Sequence, residues 1–272
     1  MPVKKVGDIH IYYEIHGKGE ALAMIMGLGG GIPWLCRQIP AFSNNYQVVA
    51  LDNRGTGATD APDIPYSMKM MADDLAGLLE ATGVKKAHVF GISMGGMIAQ
   101  HFAVLYPERV NTLILGATTC GGTHRIMPDM EAIKVLFDMD RMQKLAPEAR
   151  AGETLPFVFS HEFIDSNKAL IQELLAGMMG HVTPLHGYKR QTEAIIGHDT
   201  YDRLPEIQAP TLVLAGDADK LVPAENSRII ASRIPNSELA IFEKMGHGFN
   251  IEAADAVNET VLDFLARHSD IR

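Results

Sequence analysis

Cysteine is almost missing from this chain: 272 residues carry two, Cys36 and Cys120. Two thiols cannot build the stapled framework of a small secreted domain, so both are expected free, in a reducing compartment. Long apolar runs are missing as well. None approaches the roughly 20 residues that a membrane-spanning helix needs. At the amino terminus, MPVKKVGDIHIYYEI alternates charged and apolar residues where a signal peptide has a continuous apolar centre. These shortages lead us to expect a cytoplasmic protein with no membrane contact. Positive charge is not in excess either, with 24 Lys and Arg against 33 Asp and Glu and a formal net charge of −9. Neither a nucleic-acid footprint nor a polybasic membrane patch is therefore expected. Internal repeats and low-complexity segments are also lacking. What remains is ordinary globular material, 47% hydrophobic and 21% charged, of a length that suits one domain with room for an insertion.

The apolar residues alternate between two kinds of segment. Short continuous runs at 21–26, 47–51, 87–92, 110–116, 211–216 and 238–242, with IHIYYEI at 9–15, read as strands. Segments 67–83, 94–106, 224–234 and 254–268 carry the spacing of amphipathic helices. Alternation of this kind predicts an α/β domain: a mainly parallel central sheet with helices on both faces. One interval departs from it. From 121 to 204 no comparable strand appears, and 127–145, 165–180 and 184–196 have helical spacing. We expect a core formed by 1–120 and 205–272 and a helical lid formed by 121–204, set over the functional edge of the sheet. Most of the lid residues Met127, Met130, Met139, Met142, Met178, Met179, Phe137, Phe157, Phe159 and Phe163 are expected in the lid's own core, with a minority lining an adaptable apolar pocket.

Between a strand and a helix stands GISMGGM, residues 91–97. Glycines at 91 and 95 permit close backbone approach, and a tight turn there lifts the Ser93 hydroxyl above the sheet. The Met94 N–H then lies at a helix N-terminus, where the field favours developing negative charge, so it is a natural oxyanion donor. A serine hydroxyl is a poor nucleophile without a base, and the base needs a group to fix its tautomer. His247, in the glycine-flanked loop EKMGHGFNIE after the last strand, is the candidate base. His10, His16, His88 and His101 lie in strands or a helix and read as structural. Histidines 124, 161, 181, 186 and 198 of the lid are lesser candidates for substrate contact. No metal motif is present. For the acid, AGDADKLVP offers Asp217 and Asp219, one to orient the histidine and the other to stabilise the turn.

Taken together, Ser93, Asp219 and His247 follow the order nucleophile, acid, histidine, and the chain resembles the α/β-hydrolase family. Gly216, Asp219, Val222 and Pro223 match the family pattern G-x-x-D-x-x-V-P, and this resemblance implies Asp219 as the acid, leaving Asp217 to the turn. MGLGGG is similar to the family's oxyanion loop, which implies the Leu28 N–H as the second donor. DNRGTGATD resembles D-x-R-G-x-G-x-S, with Thr59 in the serine's place, and YPERV is a further match. Many members have His-Gly where this chain has Met26-Gly27. With serine at 93, relatives that use an aspartate nucleophile are disfavoured, and the resemblance implies a serine carboxylesterase or a 3-oxoadipate enol-lactonase-like enzyme. Carbon–carbon bond hydrolases, haloperoxidase-like proteins and slow-turnover small-molecule receptors share the scaffold. The expected partner is a small ester or lactone, and a homo-oligomer is compatible with the sequence. Arg125, Arg141 and Arg190 are lid cations able to bind a substrate carboxylate, although each suits a solvated helix face as well. No cofactor is expected, since GLGGG stands where an oxyanion loop belongs and no dinucleotide-binding helix follows it.

Overall fold

The computed structural model describes residues 2–180 and 182–269, except for the side chains of residues 147, 148, 151 and 178–180. Eight strands, β1 (Val3–Val6), β2 (Ile9–His16), β3 (Ala21–Ile25), β4 (Gln47–Leu51), β5 (Ala87–Ile92), β6 (Val110–Gly116), β7 (Thr211–Gly216) and β8 (Ser237–Phe242), form one sheet in the order β1-β2-β4-β3-β5-β6-β7-β8. The β1/β2 and β2/β4 pairs are antiparallel, and every pair from β4 to β8 is parallel. Every residue of β3, β5 and β7 is buried, as continuous apolar runs require when helices cover both faces.

The helices are, in chain order, α1 (Gln38–Phe42), α2 (Met68–Ala81) and α3 (Met94–Leu105); α4 (Met130–Phe137), α5 (Met139–Lys144), α6 (Pro147–Val158), α7 (His161–Ser166), α8 (Lys168–Gly180) and α9 (Leu185–Ile196) between β6 and β7; and α10 (Glu225–Arg233), α11 (Phe249–Glu252) and α12 (Ala254–His268). Strand residues alternate between two cores. Ala23, Val49, Val89 and Leu113 pack with Leu75 and Leu79 of α2 and with Ile98 and Phe102 of α3. Leu22, Val48, Phe90 and Ile114 pack with Phe42 of α1 and with Val261, Phe264 and Leu265 of α12. Each such large side chain contributes roughly 1.5–3 kcal/mol by burial.

The loops that follow β3, β5, β7 and β8 all leave the same carboxyl edge of the parallel strands, where open sheets bind ligands. Among the described residues, no helix is long and apolar enough to cross a membrane. Cys36 and Cys120 are free thiols, the first exposed and the second buried.

Several elements differ from the sequence expectation. Strand β1 is absent from it, because only Val6 of VKKV is buried. Its signal is the Gly-Asp pair at 7–8, a hairpin turn with Gly7 at φ +56° and Val6 paired to Ile9. The helical pattern at 127–145 divides into α4 and α5. Asp138 leaves helical geometry there, at φ −79° and ψ 87°, and its carboxylate accepts the Arg141 N–H at 3.0 Å to cap the second helix. Helix α6 lacks a clear pattern because Pro147 and Pro156 lie in it. Pro147 costs little at the first turn, where its missing N–H would have no partner.

The six inserted helices enclose a small core of their own: Leu155, Phe159, Ile171 and Leu174, joined by Ile251. The methionines and phenylalanines divide differently from expectation. Met142 and Phe159 are buried, while Met127 and Met130 are 53% and 67% exposed, because leucines and an isoleucine take the core positions instead. The side chains of Met178 and Met179 lie outside the described residues.

Candidate active site

Ser93 links β5 to α3 at φ 58° and ψ −120°, a backbone region that costs a residue with a β-carbon on the order of 1–3 kcal/mol. Its surroundings hold it there. Ser93 N–H donates to the Gly116 carbonyl at 2.8 Å, and Thr118 Oγ1 donates to the Ser93 carbonyl at 2.8 Å. A β-carbon at Gly91 would collide with the Gly95 carbonyl, and one at Gly95 with the Ile25 carbonyl. Both glycines are therefore fixed by backbone contact. The Met94 N–H opens α3 and so has no carbonyl partner one turn earlier within the helix.

Asp219 follows β7 in a turn that its own carboxylate closes. Oδ1 accepts from Leu221 N–H and Val222 N–H, each at 2.8 Å, and Oδ2 lies 2.7 Å from His247 Nδ1. Facing a carboxylate, Nδ1 is the donor, which fixes the tautomer that leaves Nε2 free to accept a proton. Asp217 does the other job, accepting the N–H of Lys244. That lysine has φ +61°, a conformation that needs such support. The His247 loop is tied to the insertion. Gly248 N–H donates to the Val158 carbonyl at 2.7 Å, and the Glu252 carboxylate accepts from both Ser160 N–H and Gly246 N–H. Burial raises the Glu252 carboxyl above its ordinary value, against the pull of these two amides.

The loop after β3 is held from three sides. Asp52 Oδ1 accepts the Ile32 N–H at 2.9 Å, and Asn53 Nδ2 donates to the Met26 carbonyl at 2.8 Å. From α9, Gln191 Oε1 accepts the Gly29 N–H at 2.9 Å while its Nε2 donates to the Arg54 carbonyl at 2.8 Å and to Thr56 Oγ1 at 2.7 Å. One fully buried glutamine thus joins the inserted helices to the loop that carries Leu28 and to the DNRGTG turn. Thr59 performs as a serine would, its hydroxyl donating to the Asp52 carbonyl at 2.7 Å and accepting the Tyr12 N–H at 2.9 Å. Arg54 is buried on a bidentate contact with Asp74, at 2.6 and 2.7 Å; burial opposes its charge, but that carboxylate together with Asp8 outweighs it and holds the guanidinium's affinity for its proton above the usual range.

Ser93, Leu28 and His247 line one cavity of about 510 Å³. Its walls are mostly apolar: Met26, Trp34 and Ile92 from the sheet side and Ile133, Phe137, Met142 and Tyr188 from the insertion. Burial pushes the Tyr188 phenol well up, and its hydroxyl donates to the Leu136 carbonyl at 3.1 Å. Of the histidines between β6 and β7, none that is described lines the cavity. His124 stacks on Tyr201, His186 bonds the Ala61 carbonyl, and His198 is buried against His101 at 3.2 Å; His161 stands exposed at the start of α7. His181 lies outside the described residues. Arg141 pairs with Glu153, and Arg190 with Asp63 and Glu193, on the surface; Arg125 does line the cavity. Among the described residues, no group of three or more His, Cys, Asp or Glu side chains is placed to hold a metal ion. Gln191, Asn226, Glu252 and Arg150, which also lines the cavity, escape sequence reasoning. Each is an ordinary polar residue, and even Glu252, at the end of EKMGHGFNIE, is marked by no pattern of its own.

Comparison with known proteins agrees with this architecture. The alpha/beta hydrolase fold family matches residues 20–254. A putative carbamate hydrolase, RutD, of Azorhizobium caulinodans is 33% identical over 97% of this chain and 98% of its own length. A 2-hydroxy-6-oxononadienedioate/2-hydroxy-6-oxononatrienedioate hydrolase of Burkholderia vietnamiensis is 33% identical over 96% and 92%. Among solved structures, the enol-lactonase of Burkholderia xenovorans superposes with a TM-score of 0.86 at 25% identity, covering 97% of this chain and all of that one. The chain belongs to the α/β-hydrolase fold family, and it is a hydrolase.

Proposed function

We propose that the protein is a serine hydrolase that cleaves a small carboxylic ester or lactone, with Ser93 as nucleophile, His247 as base and Asp219 as its orienting acid. The observation that carries this reading is the 2.7 Å contact between His247 Nδ1 and an Asp219 carboxylate whose other oxygen is already bound by two amides, with the histidine in the same cavity as the strained Ser93. His247 Nε2 takes the hydroxyl proton as Ser93 Oγ attacks the carbonyl carbon, and Asp219 stabilises the imidazolium. The Leu28 and Met94 N–H groups hold the oxyanion. The tetrahedral intermediate collapses as His247 returns the proton to the departing alkoxide, leaving an acyl-enzyme. Water, deprotonated by His247, then attacks the acyl carbonyl and frees Ser93. The segment 121–204 acts as a lid over this chemistry. Free thiols at Cys36 and Cys120 accord with a cytoplasmic location.

The test is steady-state hydrolysis of short and medium p-nitrophenyl esters and several lactones by wild type and Ser93→Ala. Multiple turnovers, lowered at least about 10⁴-fold by the substitution with no change in folding, are expected. A folded Ser93→Ala variant with wild-type turnover would overturn the assignment. Turnover of carbamates with none on esters or lactones would replace it by carbon–nitrogen cleavage, in line with the name of the Azorhizobium relative.

A further inference from the structure

We propose that the substrate of this site is an anion, and that Arg125 and Arg150 hold its carboxylate inside the cavity that contains Ser93. The proposal rests on the ester-or-lactone reading of the same cavity and adds the chemical class of what enters it.

Charge is sorted unevenly across the inserted segment. Arg141, Arg190 and Arg203 all have carboxylate partners outside the cavity: Glu153 for the first, Asp63 and Glu193 for the second, Glu206 for the third. Arg125 and Arg150 line the cavity instead, and neither has a carboxylate partner among the described residues. No Asp or Glu appears among the described residues of the cavity wall, in a chain where acidic side chains outnumber basic ones, 33 to 24. Two guanidiniums set among apolar walls, with no Asp or Glu among the described residues of that wall, make a site whose charge a carboxylate would neutralise.

Both arginines stand on supported backbone. Ile126, next to Arg125, is gripped by the fully buried Asn226, whose Oδ1 accepts the Ile126 N–H and whose Nδ2 donates to the Ile126 carbonyl, each at 2.9 Å. Arg150 Nε donates to the Leu145 carbonyl at 3.0 Å. That bond fixes one edge of the guanidinium and leaves the two terminal nitrogens as donors. A planar fork of this kind suits a carboxylate, and the partly dry walls strengthen each charge-assisted bond. The arginines have no part in the bond-making steps. They act on binding and orientation, so their removal falls on KM more than on kcat.

Two aryl esters whose acyl chains match in carbon number test the proposal: 4-nitrophenyl hydrogen glutarate, which ends in a carboxylate, and 4-nitrophenyl pentanoate, which ends in a methyl. The quantity read is the ratio of their kcat/KM values within each variant, so that any general loss of activity cancels. Wild type is expected to favour the anionic ester by about 10-fold or more, Arg125→Gln and Arg150→Gln each to reduce that ratio, and the double variant to bring it close to one. Arg→Lys at either position should restore part of it. A wild-type ratio near one, or a double variant that keeps the preference, overturns the anion site; Ser93-dependent turnover of the pentanoate would then leave the hydrolase reading intact. Binding gives a readout free of turnover, because Trp34 is the only tryptophan and lies in the cavity wall. Glutarate should change its fluorescence saturably in wild type and in Ser93→Ala but not in the double arginine variant, and glutaramide should have no such effect. If neither ester is turned over, these two substrates do not report on the ester-or-lactone reading, and this titration decides the anion site alone: saturation lost with the arginines supports it, and no saturation overturns it.

Discussion

At the carboxyl edge of the sheet, Gly91, Gly95 and Gly216 are each pressed against a neighbouring backbone carbonyl so closely that no side chain fits. In the inserted helices, Met130 and Ile196 are 67% and 65% exposed, and the insertion's own small core rests on four of its side chains and one from α11. The two regions therefore answer to different constraints. Residues on the sheet edge are placed by backbone contact that tolerates no substitution, so their geometry is fixed before any ligand arrives. The inserted helices are placed mainly by side chains, which can be exchanged while the helix stays, with Gly187 of α9, held against the Gly55 carbonyl, as an exception. Reacting groups need the first kind of support, and the walls that select a substrate can vary under the second.

Breaking the sheet edge should cost most. Asp219→Asn is expected to lower kcat by about 10⁴, because it disturbs the tautomer that Nδ1 donation enforces. Asp217→Asn, two residues away, should lower stability by about 1 kcal/mol through the Lys244 turn and reduce kcat by less than about 10-fold. Parallel kinetics and urea melts separate the two, and equal effects on kcat would show that the two carboxylates share the role.

The seam between the regions comes next. Gln191→Leu removes three hydrogen bonds at once and leaves the Gly29 N–H without its partner. Stability should fall by about 2–3 kcal/mol. Because Gln191 positions the loop that carries Leu28 without lining the cavity, kcat should fall about 10- to 100-fold with KM little changed. A rise in KM at constant kcat would mean that the residue shapes the pocket instead.

A smaller effect is set by His198, from the insertion, and His101, from α3. Burial holds both neutral, pushing His198 down to about 3 and His101 to about 4 from an ordinary value of 6.5. After burial, Arg203 and Lys69 disfavour charge on His101, and His101 and Arg125 disfavour it on His198, with the Thr119 carbonyl and Asp199 opposing. Below pH 6.5 the unfolded chain takes up protons that the folded chain refuses, so stability should fall as pH drops from about 6.5 toward 4. The expected slope is on the order of 1 kcal/mol per pH unit for each histidine. Urea midpoints at pH 7, 6 and 5 measure it, and His101→Gln should flatten the slope; an unchanged slope would place the proton uptake elsewhere.

Legibility followed the same division. Ser93 and His247 stand out in the sequence because steric necessity leaves a mark there, glycines beside the serine and around the histidine after the last strand, whereas Asp219 is told from Asp217 only by the resemblance to G-x-x-D-x-x-V-P. Strands β3, β5 and β7 are legible for a related reason, since burial on both faces leaves few alternatives to apolar residues. Gln191 is silent because it meets Gly29 across 162 positions of sequence, and Asn226 meets Ile126 across 100. A glutamine inside an amphipathic helix looks the same whether it faces solvent or a buried amide. Arg125 and Arg150 are hard to read for the converse reason: their sequence surroundings do not differ from those of Arg141 and Arg190, and only the fold sorts wall from surface.

The tie between Gly248 N–H and the Val158 carbonyl, with Glu252 bridging Ser160 to Gly246, bears on how this architecture can be redesigned. An inserted helical segment looks like an interchangeable part, ready to be transplanted between relatives to change substrate range. Here the end of α6 also sets the height of the loop that carries His247. A chimaera that imports a foreign insertion inherits a foreign address for the His247 loop, and it will need residues 158–160 and Glu252 to travel together if the transplanted wall is to leave that loop in place.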